Sequence, residues 1–131
     1  MAIELQGFKF TAIAGEDLSA KQYHFMKISA NMTVVTCDGL GSIPCGILQN
    51  NPIQYGAAEI LVHGISKVVT SGAIAFGVQI GTDADGHAIT VDPDGANDYF
   101  YVGMIIQSTG GVAEIGSALI NCAKPVIQSG S

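Results

Sequence analysis

Apolar and polar positions alternate with a period of two along most of this chain, in short runs cut by glycine. Phe8, Phe10 and Ala12 share one side of a run whose other side carries Lys9 and Thr11. A period of two is that of a half-buried strand, whose successive side chains point to opposite faces. Similar runs cover residues 23–29, 32–37, 43–49, 57–70, 73–80, 87–91, 99–107 and 112–121, rich in Val, Ile, Phe, Tyr and Thr. Residues 57–70 form the longest apolar run; Gly64 and its β-branched residues favour strand over helix. Between the runs stand strong turn signals: residues 15–19, Asp38-Gly39, Asn50-Asn51-Pro52, Asp83-Ala84-Asp85-Gly86 and Asp92-Pro93-Asp94-Gly95. One helical turn is expected at residues 17–22, capped by Asp17 or Ser19.

Nine or ten short strands are too many for one open sheet of this size. The expected fold is all-β: a compact β-sandwich or partly closed β-barrel with short turns and little helix. The expected organisation is an N-terminal arm or strand over residues 1–14, a β-rich domain over 15–123 and a C-terminal tail over 124–131.

Composition narrows the function. With 48% hydrophobic and 12% charged residues among 131, the chain is too apolar for disorder and carries about half the usual share of charge. A charge-poor surface is often one that partners cover. Five acids face four lysines in residues 1–70, and six face one lysine in residues 71–131. With no arginine and a net charge of −6, neither nucleic acid nor an anionic membrane is an expected partner. Cys37, Cys45 and Cys122 are odd in number and scattered, which reads as reduced thiols of a chain made in a cytoplasm. No signal-peptide pattern or run of about 20 apolar residues is present.

Catalytic and metal chemistry finds little support. The cysteine spacing does not fit a zinc site, whose paired ligands usually stand two to four residues apart. Asp83-x-Asp85-Gly86 is a fragment of a calcium loop without its remaining ligands, and a turn whose aspartates bond their own backbone is the plainer reading. His63 lies in the most apolar run, as a core or interface histidine rather than a base. No nucleophile elbow occurs. The expectation is a chain that is no enzyme and holds no metal and no cofactor.

Several strings, in order, carry a resemblance. They are Leu18-Ser-Ala-Lys-Gln-Tyr-His-Phe25, Gly46-Ile-Leu-Gln-Asn-Asn-Pro52, Gly64-Ile-Ser-Lys-Val-Val69, Ser71-Gly-Ala-Ile-Ala-Phe-Gly77, Gly81-Thr-Asp-Ala-Asp-Gly86 and Tyr101-Val-Gly-Met-Ile-Ile106. Across roughly residues 15–120 the chain resembles the capsid cement, or head decoration, proteins of tailed bacteriophages. It departs at Val78, where that family usually has a polar or acidic residue. The resemblance implies a structural virion protein on the exterior of the phage head, made in the host bacterium's cytoplasm. Its implied partners are the major capsid protein and further copies of itself, as a homotrimer or dimer. The alternatives are another phage structural β-domain, from a tail or fibre, and a sugar-binding or enzymatic β-domain built around His63 and nearby acids. The expected contact residues are Phe8, Phe10, Leu18, Lys21, Tyr23, Phe25, Tyr99 and Tyr101. The first dozen residues are expected to reach across a neighbouring subunit.

Overall fold

The computed structural model describes residues 5–91, 99–123 and 125–128, and every regular element in them is a strand. The first half gives β1 (Leu5–Ala14), β2 (Phe25–Ala30), β3 (Thr33–Thr36), β4 (Gly46–Leu48) and β5 (Ala57–Thr70). The second gives β6 (Gln79–Thr82), β7 (Ala88–Thr90), β8 (Tyr99–Tyr101), β9 (Gly103–Gln107), β10 (Glu114–Asn121) and β11 (Val126–Gln128). The fold is all-β.

Nine strands form one mixed sheet in the order β1-β3-β2-β4-β5-β10-β9-β6-β7, and β8 pairs with β11 separately. Two further pairings return the sheet on itself, both onto β5. β1 runs antiparallel to β5 through to Ile13 opposite Ala57, closing a circuit of β1, β3, β2, β4 and β5. β7 meets β5 at Thr70 opposite Ala88, closing a second circuit of β5, β10, β9, β6 and β7. β5 thus serves the first circuit with its N-terminal part and the second with its C-terminal part. Gly64 stands where the partners change, at φ 145°, a conformation that a side chain strongly disfavours.

Each circuit has its own core. Ala12, Ala14, Met26, Val34, Leu48 and Ile60 pack in the first, and Phe25, Ile47, Val68, Ile80, Ile105 and Ile120 in the second. β2 and β4 are the shared wall. Neighbours Phe25 and Met26, and neighbours Ile47 and Leu48, are all fully buried, one of each pair in each core. Period-two alternation here sorts residues between two interiors rather than between interior and solvent. Burying each such side chain contributes about 1.5–3 kcal/mol.

Several expectations change. Residues 17–22 hold no helix: Lys21 N donates to Leu18 O and His24 N to Lys21 O, two successive turns. Fully buried Leu18, its amide bonded to Pro52 O, pulls this segment inward. Residues 73–80 are mostly irregular. Ile74 makes one bridge to Thr109, and Val78 N bonds Ala75 O around Gly77 at φ 81°, so β6 starts only at Gln79. Residues 99–107 split at Val102, whose amide bonds Ile80 O, into β8 and β9. Within the N-terminal segment, residues 5–14 are a strand woven between β5 and β3 of their own chain. Within the tail, residues 126–128 are a strand on β8. The Asp92-Pro93-Asp94-Gly95 turn lies outside the described residues.

Candidate contact surfaces

Strand register assembles one apolar face from five strands. Residues directly opposite in antiparallel strands share a face. Leu119 of β10 stands opposite Ile65 of β5 and Met104 of β9, and Met104 stands opposite Gln79 of β6. One step along, Asn121 and Phe8 both pair with His63. Phe8 is 75% exposed and its ring stacks near His63, with centroids 6.4 Å apart and planes 18° from parallel. His63, Leu119, Met104, Gln79 and Asn121 are exposed, and none of these side chains is an acid or a lysine. A shallow groove of about 400 Å³ runs along the face between His63, Tyr101, Met104, Leu119 and Val126. Beside it, Gly7, Phe8, His63 and Gly64 line a second of about 430 Å³. Gly7 lets β1 lie against β5, since a Cβ there meets the His63 carbonyl.

A second apolar cluster caps one end of the first circuit. Ile13 N donates to Met32 O, and Tyr55 N donates to Ala14 O, drawing both turns onto the end of β1. Ile13, Met32, Ile53 and Tyr55 are all exposed, Tyr55 at 79%. Met32 and Tyr55 hold positive φ, 50° and 68°. That conformation costs a non-glycine residue about 1–2 kcal/mol. Two of the four non-glycine positive-φ residues described thus present exposed large apolar side chains.

The expected contact residues divide. Phe8 is on the apolar face, and half-buried Tyr101 lines its groove. Phe10 is half-buried against the first core, Lys21 is half-buried, and Tyr23 packs against the second core beneath the Lys67 ammonium, 5.7 Å from its ring centre. Leu18 and Phe25 are fully buried, so both belong to the interior and not to a contact surface. The Tyr99 side chain lies outside the described residues. His63 is exposed, which removes the core reading. Met104, Leu119 and the Met32–Tyr55 cluster had no local signal. Their runs are apolar on both sides, and only cross-strand register says which side faces out.

Asp83 Oδ1 accepts the amides of Asp85 and His87 at 2.8 and 2.9 Å, which builds the β6–β7 turn. Ligand atoms of Asp83, Asp85 and His87 lie within 4.8 Å of one another. Three donors fall short of the six to eight oxygens that calcium takes. Burial pushes the Cys37 thiol up to about 12 and the Cys45 thiol up to about 11, and raises Cys122 as well. Neutral, buried thiols are poor nucleophiles and poor metal ligands.

No family model matches this chain, and no curated protein matches it. Among solved structures it is similar to the N base of head fiber gp8.5 in bacteriophage phi29. The likeness has a TM-score of 0.65 at 15% sequence identity, covering 88% of this chain and 94% of that one. At this identity the likeness is one of fold.

Proposed function

We propose that this chain is a structural protein of a phage virion that attaches to the outside of the head and acts by surface contact, without catalysis. The observation that carries the reading is the fold shared along nearly the whole chain with the base of a phage head fiber. The order of sequence strings resembling head decoration proteins points the same way. The physics asks for no reacting atom. A ligand that binds an assembled shell better than its free subunits stabilises the shell by mass action, by about 2.7 kcal/mol per site at 100 times its dissociation constant. An uncharged apolar face on a chain of net charge −6 suits such contact, because desolvating it costs no buried charge. The major capsid protein is the proposed partner, with further copies of this chain as a trimer or dimer.

The test is co-sedimentation of the purified chain with phage heads lacking it. Saturable binding is expected. The double variant Phe8→Ser/Leu119→Ser should bind at least about tenfold more weakly, a loss of about 1.4 kcal/mol or more, while melting as the native chain does. Failure of the native chain to sediment with heads refutes the reading.

A second reading, the base of a head fibre, is favoured by the likeness of fold to the N base of the phi29 head fiber. Under it, density from the same polypeptide extends outward from the attachment point in a reconstruction of the particle. Under the decoration reading, density ends at a compact knob.

A further inference from the structure

The two circuits meet at a histidine pair. His24 immediately precedes β2, and His87 immediately precedes β7 at the end of the β6–β7 turn. Their ring centroids lie 4.9 Å apart with planes tilted by 42°. His24 is only 7% exposed, and its Nδ1–H donates to Gln22 O at 3.1 Å. That bond leaves Nε2 as the nitrogen that takes up a proton.

The backbone around the pair joins the circuits. Phe25 N donates to Gly86 O at 2.7 Å, so the start of β2 holds the tip of the turn. Tyr23 N donates to Leu48 O and Val69 N donates to Tyr23 O, tying the same segment to β4 and to the C-terminal part of β5. The fit is close. Gly86 sits at φ 77°, and a Cβ there meets the Phe25 carbonyl, Thr36 Cγ2 and His24 Cβ at 2.6–3.3 Å. Elsewhere the second circuit is weakly shut, with β7 and β5 sharing one residue pair and the bond from Ser71 N to Ala88 O.

The charged and titratable groups around the pair are unevenly placed. Lys21 lies on His24's own segment. The turn brings Asp83, Asp85 and His87, with Asp83 Oδ2 3.4 Å from His87 Nδ1. From the β3 side come Cys37 and Glu16, whose carboxylate accepts the Thr36 amide. Among the described residues no carboxylate forms an ion pair with His24. A proton on His24 therefore meets a low-dielectric pocket, a second imidazole and a lysine.

We propose that the His24–His87 pair is a proton-operated latch, whose protonation frees the β6–β7 turn from the start of β2 and opens the second circuit at its β5–β7 seam. Burial, only partly offset by the bond to the Gln22 carbonyl and reinforced by His87 and Lys21, holds His24 below its ordinary value of 6.5. The unfolded or unlatched chain thus binds the proton more tightly than the closed one. Closure is fully favoured above about 6.5 and is lost as pH falls from there through the lowered value. The device is a property of the free chain and does not depend on where the chain sits in a particle.

The test follows the native chain by hydrogen exchange and urea unfolding between about pH 7.5 and pH 5, with exchange corrected for the intrinsic effect of pH. The Phe25 amide is expected to lose protection on acidification well before the β5–β10 amides, and the urea midpoint is expected to fall. His24→Phe, which keeps a ring and removes the titration, should at least halve that fall. An unchanged Phe25 protection factor, or a full fall in His24→Phe, overturns the proposal. Imidazole NMR of the native chain decides it even if the variant does not fold. A His24 titration midpoint below 6.5 that moves with the Gly86 and Phe25 resonances supports the latch, and a midpoint at or above 6.5 overturns it.

Discussion

The two circuits share β5 but close in opposite ways. In the first, β1 lies along β5 from Phe8 to Ile13 and then passes to β3, around a core trimmed by Ala12, Ala14 and Ala58. In the second, larger side chains fill the core, yet β7 reaches β5 at a single pair, Thr70 and Ala88. Small residues let strands of the first circuit approach and make many ladder bonds. The second has a ladder as long, β5 with β10, but at its closing seam it relies on its apolar filling and on the contacts between the β6–β7 turn and β2. The first is therefore the more fully closed ring, and it carries the positive-φ apolar end at Met32 and Tyr55. Under the proposed latch, the second is the part that opens, at its single β5–β7 pair.

Removing residues 1–12 should have the largest effect, because it takes away most of the strand that closes the first circuit. Loss of a cooperative melting transition is expected. A shortened chain that melts like the native one would mean that β1 is an accessory strand and that the contrast fails. Phe25→Ala comes next, at about 3–5 kcal/mol by urea unfolding, since Phe25 is fully buried in the wall between the cores. A cost under about 1 kcal/mol would mean that the wall is loosely packed.

A pair of glycine substitutions sharpens the comparison at smaller scale. At Gly46 of β4 a Cβ meets Ile60 Cγ2 and the Leu61 carbonyl of β5, so Gly46→Ala should cost about 1–3 kcal/mol through overpacking. At Gly72, before the second circuit's irregular stretch, a Cβ meets nothing within 4 Å, and Gly72→Ala should stay within about 0.5 kcal/mol of the native chain. Equal costs at the two sites, read from the urea midpoints, would mean that the close fit of β4 on β5 at Gly46 does not set the cost.

Much of the local structure was legible in the chain, and the rest depended on pairing. Residues 57–70 read as one strand and are one, since a long β-branched run is a local signal. The fate of residues 73–80 was hidden, because Ile74 is held by Thr109, thirty-five positions away. Phe25 shared an alternating run with Tyr23 and Lys27 and so appeared to face outward. Alternation cannot tell solvent from a second core, and β2 has a core on each side. The apolar face was the least legible. Phe8 stood out as an exposed aromatic candidate, whereas Leu119 and Met104 become surface residues only once register sets them beside Ile65 and Gln79. His24 and His87, sixty-three positions apart, gave no sign of contact.

A cryo-electron microscopy reconstruction of the virion tests the proposed contact with the head exterior most directly. Density fitted by the two-circuit fold on the outer surface of the shell, with the Phe8–Leu119 face or the Met32–Tyr55 end turned toward capsid protein, is the predicted result. A particle whose outer shell carries no such density, or carries it only inside the head, would contradict the account.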